Sequence, residues 1–190
     1  DVFDKDRVWK LRNGGGDGAK ELNTKLAHLA HHKQLSACVD AFTAGRAAGT
    51  ANYWSYAILL NAHATCGDGP GALAALSALR AAGHRPRVMS YTAALKAIGG
   101  AGDVAGAHKL LCEMETEFRA AGGGDDYTPN VRTANTFLRG CLVGGGVEEG
   151  VALLGRLGIG TWAATPAGTS ALEYAGLLCA QALRLDEASA

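Results

Sequence analysis

Aromatic residues are scarce in this sequence, and proline is scarcer still. Phe, Trp and Tyr together make up 6% of the 190 residues, and only 4 residues are Pro, whereas 27 are Gly. Strands of a β-sandwich are enriched in aromatic and β-branched residues, so their shortage argues against that class. Abundant alanine favours helices that pack closely against one another.

Long apolar runs and a net charge are missing as well. No run approaches the roughly 18 residues that a membrane span requires, so we predict a soluble protein without a membrane partner. The 18 basic residues balance the 18 acidic ones, which argues against tight binding to a nucleic-acid backbone by charge alone. No signal peptide is visible, and because the chain starts at Asp1 rather than at Met, we interpret it as a fragment or a processed form.

Closely spaced cysteine pairs are also absent. The five cysteines lie tens of residues apart, without a C-x-x-C pair or a histidine at a zinc-ligand spacing. We therefore interpret them as small buried hydrophobic residues of a protein in a reducing compartment. They are Cys38, Cys66, Cys112, Cys141 and Cys179.

What the sequence does have is an internal repeat. Segments that start at Tyr53 and Val88 align without a gap, with Tyr56 and Tyr91 35 residues apart. A third copy starts at Val131, 43 residues after Val88, so one repeat carries eight extra residues. These extra residues fall in the Gly-rich stretch 120–128, where they extend the second helix of that repeat or the loop after it.

The repeat divides the chain into an array. We expect an N-terminal arm or linker at 1–18, followed by a repeat array at 19–190. Its five repeats are 19–52, 53–87, 88–130 with the insertion at 120–128, 131–168, and a partial repeat at 169–190 that stops inside its second helix.

Each repeat has the pattern of two antiparallel helices. In the second repeat, Tyr56, Leu59, Leu60 and His63 recur at helical spacing and end at Gly67, a natural left-handed stop. One such hairpin cannot bury its apolar face, so neighbouring repeats must stack. The predicted fold is all-α, an α-solenoid of stacked helix-turn-helix repeats whose first helices line a shared concave surface.

The repeats are poorly matched to the tetratricopeptide pattern, because Leu59-Leu60 stands where that pattern has Leu-Gly. They resemble the pentatricopeptide-repeat (PPR) family instead. The resemblance rests on Ser55 to Leu60 with Gly67, on Ser90-Tyr91-Thr92 with Gly102-Asp103-Val104, and on Pro129 to Asn135 with Gly145. It implies a right-handed superhelix that binds single-stranded RNA.

In the PPR family each repeat meets one base through the residue after the first-helix Tyr and the last residue of the repeat. The resemblance therefore implies four base-contacting pairs. The first pair is similar to a pyrimidine-reading combination and the third pair to an adenine-reading one, whereas the second and fourth pairs depart from the pattern. The alternative is that these Asn and Thr residues only cap helices. The pairs are Asn23 with Asn52, Ala57 with Arg87, Thr92 with Asn130, and Asn135 with Gly168.

Further contacts to RNA are implied beside these pairs. Trp54, Met89 and Arg132 resemble the positions that flank a base in the family. The predicted first helices carry a net positive charge, with Lys96 and Arg139 among their basic residues, whereas the second helices are net negative. Glu173, in the last repeat, would face RNA with the wrong sign of charge.

No cofactor, metal or active site is expected. Gly100 to Ala105 and Gly158 to Ala163 fit the dinucleotide-binding string, but both follow helical patterns rather than a strand. The three histidines at 28, 31 and 32 have no further ligand at a suitable spacing. We interpret the acidic run at Glu113, Glu115 and Glu117 as an outward-facing, solvated surface.

Three functions stay open at this point. The PPR resemblance favours single-stranded RNA binding in organellar RNA metabolism, in a chloroplast or mitochondrion, without enzymatic activity. A second interpretation is a protein-binding scaffold in an RNA-processing or ribosomal assembly. A third is the RNA-binding arm of a larger RNA-processing enzyme.

Overall fold

A computed structural model of the chain describes residues 16–120, 122, 130–157 and 166–189. Every regular element in this part of the chain is an α-helix, which confirms the all-α prediction. No helix there is long and apolar enough to cross a membrane. The described helices are α1 (Asp17–His31), α2 (Leu35–Ala47), α3 (Tyr53–Cys66), α4 (Gly69–Ala81), α5 (Val88–Gly100), α6 (Val104–Ala120), α7 (Val131–Gly144), α8 (Val147–Leu157) and α9 (Pro166–Ser189).

The helices fall into two compact units, Asp1–Arg85 and Pro86–Ala190, which we call the N-terminal and C-terminal units. In the N-terminal unit, α1 packs against α2 and α3, and α3 packs against α2 and α4. Its core includes Leu26, Leu60 and Leu79, which are fully buried. Odd-numbered helices therefore lie side by side, and each packs against the helix that follows it.

The C-terminal unit has the same order of contacts. Helix α7 packs against α5 on one side and α9 on the other, while α6 and α8 pack against the helices that flank them in sequence. Its core includes Tyr91, Leu95 and Phe137. Gly99 of α5 and Gly140 of α7 bring two backbones together, since a Cβ atom added to Gly140 would lie 2.9 Å from the Gly99 Cα.

The odd-numbered helices from α1 to α7 are each followed, within two residues, by a residue with positive φ. Gly67, Gly102 and Gly145 have φ angles of 73°, 79° and 75°, and Lys33 takes the same role with a φ of 55°. In each case the next residue donates its N–H to a carbonyl five residues back, as His63 O accepts from Asp68 N at 2.9 Å. This hydrogen bond is that of a Schellman C-cap, and it turns the chain into the following helix.

The helix starts follow the sequence repeat except at the ends of the array. Helices α3, α5 and α7 begin at Tyr53, Val88 and Val131, the first residues of three repeats. The last repeat differs from the prediction, because α9 is one uninterrupted helix of 24 residues that begins before position 169. Leu183 stands where three earlier repeats have their stop glycine and the first has Lys33, and α9 continues through this position without a turn.

Two predicted segments lie largely outside the described residues. Only residues 16–18 of the arm at 1–18 are described, and α1 already begins at Asp17 rather than at Ala19. Of the insertion at 120–128, only 120 and 122 are described. Before it, α6 runs for 17 residues, whereas α2 and α4 have 13 each.

Candidate nucleic-acid interface

The first predicted base-contacting pair is joined by hydrogen bonds in the N-terminal unit. Asn52 caps α3, with Oδ1 accepting from Trp54 N at 3.0 Å and from Ser55 N at 3.2 Å. Asn23 Nδ2 donates to the same oxygen at 3.3 Å, and Ser55 Oγ donates to Asn23 Oδ1 at 2.6 Å. Asn23 is 2% exposed, so most of its amide faces the protein.

The third predicted pair has a matching arrangement in the C-terminal unit. Asn130 caps α7, with Oδ1 accepting from Arg132 N and Thr133 N at 3.1 Å each. Thr92 Oγ1 lies 3.2 Å from Thr133 Oγ1, which in turn lies 3.3 Å from Asn130 Oδ1. The side chains of Thr92 and Asn130 thus meet through Thr133, and Thr92 is half-buried.

For the other two predicted pairs, the structure gives the places of their members. Ala57 is half-buried on α3 in the N-terminal unit, while Arg87 is the N-cap residue of α5 in the C-terminal unit. Asn135 is half-buried on α7, and its predicted partner Gly168 lies in the first turn of α9.

The predicted base-flanking and basic residues lie on exposed helix surface in the C-terminal unit. Met89 and Lys96 are exposed on α5, seven residues apart, and Arg132 and Arg139 are exposed at the same spacing on α7. Residues seven apart share one face of a helix. We call these four residues the basic face. Trp54 is half-buried on α3, with its ring 5.6 Å from that of Tyr53.

Charge is segregated between the helices of the C-terminal unit. Helices α5 and α7 contain three basic residues and no acidic residue. The acidic residues of this unit's described helices lie on α6, α8 and α9. Glu113, Glu115 and Glu117, predicted to be an outward-facing, solvated surface, are each half-buried along the long α6.

The cysteines are more varied than predicted. Cys38 and Cys141 are buried, and burial raises the pKa of their thiols to about 11 and about 12. Cys112 is half-buried, while Cys66 and Cys179 are exposed, so the prediction of five buried cysteines is wrong. The spacing between cysteines along the chain does not reveal these differences in burial.

The three histidines lie together at the end of α1. The His28 and His32 rings are 4.5 Å apart, and those of His31 and His32 are 5.2 Å apart. All three are exposed. Among the described residues, no group of three or more His, Cys, Asp or Glu side chains is arranged to hold a metal ion.

Sequence reasoning missed Ser55 and Thr133, the residues through which the two linked pairs are held. Both are 0% exposed. A signal for them was present, since Asn52 and Ser55, and equally Asn130 and Thr133, have the three-residue spacing of a capping box.

Comparisons with known proteins add no identification. No protein-family model matches the chain, and no curated protein matches it significantly.

Proposed function

We propose that the chain binds single-stranded RNA through the basic face of α5 and α7, as a short α-solenoid of the PPR type. The observation that carries the proposal is that two adjacent helices expose cationic side chains in the same register and contain no carboxylate. Under this proposal the protein acts in organellar RNA metabolism and has no catalytic role of its own.

The chemistry of the basic face suits an unpaired strand. Lys96 and Arg139 occupy corresponding positions of successive repeats, so their charges would follow an RNA backbone from one nucleotide to the next. Arg132 and Met89 occupy corresponding positions, the second residue of α7 and of α5, where a guanidinium plane or a thioether can stack on a base. Bases of a duplex are already stacked and paired, so this surface favours single strands.

The zero net charge of the chain is compatible with this proposal because the charge is unevenly distributed. The acidic residues of α6, α8 and α9 lie on helices other than the two that carry the basic face. Local potential governs association with a polyanion when charges of one sign share a surface. Three exposed cations still make a small electrostatic contribution, so we expect weak, salt-sensitive binding.

Reversal of two charges tests the proposal. Lys96→Glu combined with Arg139→Glu should weaken binding of a short fluorescein-labelled single-stranded RNA by roughly tenfold or more at low salt. The slope of log affinity against log salt should fall by about 1.4, because each phosphate contact on a single strand contributes about 0.7. Fluorescence anisotropy titrations at several salt concentrations measure both quantities.

The matched control reverses two exposed cations on even-numbered helices, Arg46→Glu with Lys109→Glu. It makes the same change in net charge but leaves the basic face intact. Equal weakening by both double variants would show only a nonspecific charge effect. Failure of the wild-type chain to bind RNA at low salt would overturn the proposed function.

Protein docking is a second candidate function, favoured by exposed apolar residues at the edge of the same surface. Val143 is 59% exposed at the end of α7. Leu177 is 56% exposed on α9, at the repeat position that Lys96 and Arg139 occupy in their own repeats. Exposed apolar side chains next to polar ones mark protein interfaces more often than RNA contacts. A stoichiometric protein partner purified without nucleic acid, and released by Val143→Asp with Leu177→Asp, would favour this function over RNA binding.

A further inference from the structure

We infer that Ser55 and Thr133 set the base preference of the chain, by fixing the side chains of Asn23 and Thr92 through hydrogen bonds. This inference rests on the proposed RNA-binding function and names residues that determine its specificity. Ser55 and Thr133 are positioning residues, since in this arrangement they touch the base-contacting side chains rather than a base.

Burial shows that both hydroxyl groups act inside the protein. Ser55 and Thr133 are each 0% exposed, and a buried hydroxyl that lacks a partner costs on the order of 1–3 kcal/mol. Both are therefore expected to be fully bonded. They lie one residue before Tyr56 and Ala134, at the third position of α3 and α7.

One partner of each hydroxyl is local. Ser55 Oγ accepts from Asn52 N at 3.1 Å, and Thr133 Oγ1 lies 3.4 Å from Asn130 N. These contacts complete a capping box, which stabilises the helix start. A capping role alone needs no partner on the preceding odd-numbered helix.

The second partner of each hydroxyl lies on that preceding helix. Ser55 Oγ reaches 32 residues back to Asn23 Oδ1 on α1, and Thr133 Oγ1 reaches 41 residues back to Thr92 on α5. The bond from Ser55 is short, at 2.6 Å, and the contact between the two threonines is 3.2 Å. Each hydroxyl thus connects the start of one repeat to a predicted base-contacting residue of the repeat before it.

The bond from Ser55 selects one orientation of the Asn23 amide. With Oδ1 accepting from Ser55, Nδ2 faces the Asn52 Oδ1 and donates to it. A flip of the amide would place two oxygens together at Asn52 and would remove the acceptor for Ser55. Ser55 and Asn52 together therefore fix which amide atom of Asn23 occupies each side.

The contact from Thr133 restricts the Thr92 hydroxyl in the same way. Thr92 is half-buried, so part of its side chain is accessible, while its Oγ1 is held at 3.2 Å from a buried neighbour. A threonine hydroxyl has one hydrogen and can rotate when nothing fixes it. When Thr133 Oγ1 donates its hydrogen to Asn130 Oδ1, it accepts from Thr92 and leaves Thr92 as an acceptor for a base; without Thr133, Thr92 would offer either a donor or an acceptor.

The experiment measures base preference apart from affinity. Thr133→Val removes the hydroxyl but keeps the shape, and Ser55→Ala does the same in the N-terminal unit. Affinities of the full chain for oligoadenylate, oligouridylate and oligocytidylate are measured by fluorescence anisotropy, with circular dichroism to verify folding. For each variant we expect the ratio of strongest to weakest affinity to fall by roughly threefold to tenfold, the value of one hydrogen bond.

Two further variants separate positioning from stability. Thr133→Ser retains the hydroxyl and should restore the wild-type ratio. Thr116→Val removes an exposed hydroxyl that bonds only within α6 among the described contacts, to Cys112 O at 2.9 Å, and should leave the ratio unchanged. The salt dependence should stay the same in every one of these variants, because no cation is changed.

The outcomes distinguish this inference from the proposed function. Absence of binding by the wild-type chain overturns both. A wild-type chain that binds all three oligonucleotides equally, or a folded variant that weakens all three by the same factor, overturns the inference and leaves RNA binding standing. If Thr133→Val fails to fold, Ser55→Ala decides, because its network lies in the other unit.

Discussion

The two units start their helices by the same chemistry but bring them together differently. Asn52 and Asn130 form the same capping box, each with a hydroxyl residue three positions later. In the N-terminal unit a glycine, Gly45, accommodates a side chain, since an added Cβ would meet the methyl groups of Leu22. In the C-terminal unit, Gly150 likewise accommodates the Leu178 side chain, but Gly99 and Gly140 accommodate backbone. Glycine therefore makes room for a side chain at one contact and for a helix backbone at another.

The opposing atom also decides how much a substitution costs. A leucine methyl group can move by rotation about side-chain bonds, whereas a helix backbone moves only with the whole helix. The approach of α5 to α7 therefore depends on the absence of a Cβ atom at Gly140. It also sets the spacing between the two helices that carry the basic face.

The largest effect is expected for Gly140→Ala. Its new methyl group would press on the Gly99 backbone and force α5 and α7 apart, so the free energy of unfolding should fall by about 1–3 kcal/mol. Urea denaturation followed by circular dichroism measures this as a lower midpoint at an unchanged slope.

Gly155→Ala is the matched control within the same unit. An added Cβ there has no heavy atom within 4 Å, so the helix propensity of alanine should raise stability by roughly 0.5–1 kcal/mol. If Gly140→Ala were as stable as the wild type, the close approach of the two helices would not limit packing in this unit.

A second contrast concerns the stop residue after α1 and after α3. Lys33 and Gly67 hold the same left-handed conformation, with φ angles of 55° and 73°. Lys33→Gly should relieve a backbone cost of roughly 1–2 kcal/mol, partly offset by the greater freedom of glycine in the unfolded chain. We expect a net gain below about 1 kcal/mol, measured by the urea midpoint.

The reciprocal substitution, Gly67→Ala, sharpens this comparison. An added Cβ there meets nothing within 4 Å, so its expected loss of about 1 kcal/mol comes from the backbone alone. If Lys33→Gly and Gly67→Ala both had the urea midpoint of the wild type, the left-handed backbone at these turns would carry no cost for a non-glycine residue.

Much of the helical organisation could be predicted from sequence because its signals are local. The stop glycines, the apolar spacing around Tyr56 and Tyr91, and the 35-residue step mark where helices start and turn. A local signal also explains the error at α9. Its stop position holds Leu183 rather than glycine, and although Lys33 shows that a non-glycine residue can make the turn, leucine gives no local signal for one.

The side-chain network around the predicted base-contacting pairs could not be predicted in the same way. The Ser55 bond to Asn23 spans 32 residues, and its geometry depends on how α1 packs against α3. The PPR resemblance implies Asn23 and Asn52 as a pair, and the capping-box spacing marks Ser55 as a partner of Asn52 but not of Asn23. Contacts of this kind require the relative positions of two helices, which a repeat period does not supply.

The smallest effect concerns the caps of α4 and α6, which differ by one histidine. Asp68 Oδ1 accepts from Gly71 N at 2.9 Å, and its Oδ2 lies 2.8 Å from His63 Nδ1. Asp103 caps Gly106 N at 2.8 Å, but Ile98 stands in the position of His63. The Gly71 N–H and the His63 bond hold the pKa of Asp68 below its ordinary value of 3.8.

A pH series tests the contribution of this histidine-linked cap. Because the folded pKa of Asp68 is lowered, its stabilising contribution is fully present above the unfolded value and is lost as pH falls through the folded value. Asp68→Asn keeps a capping oxygen but removes the charge, so the wild-type advantage in urea midpoint should shrink from about pH 5 to about pH 3. Solvent screening of this partly exposed carboxylate keeps the effect small. Asp103→Asn is the control, because it makes the same charge change at a cap without a histidine. If the urea midpoints of the wild type and Asp68→Asn fell in parallel with decreasing pH, the His63 bond would not favour the charged form of Asp68.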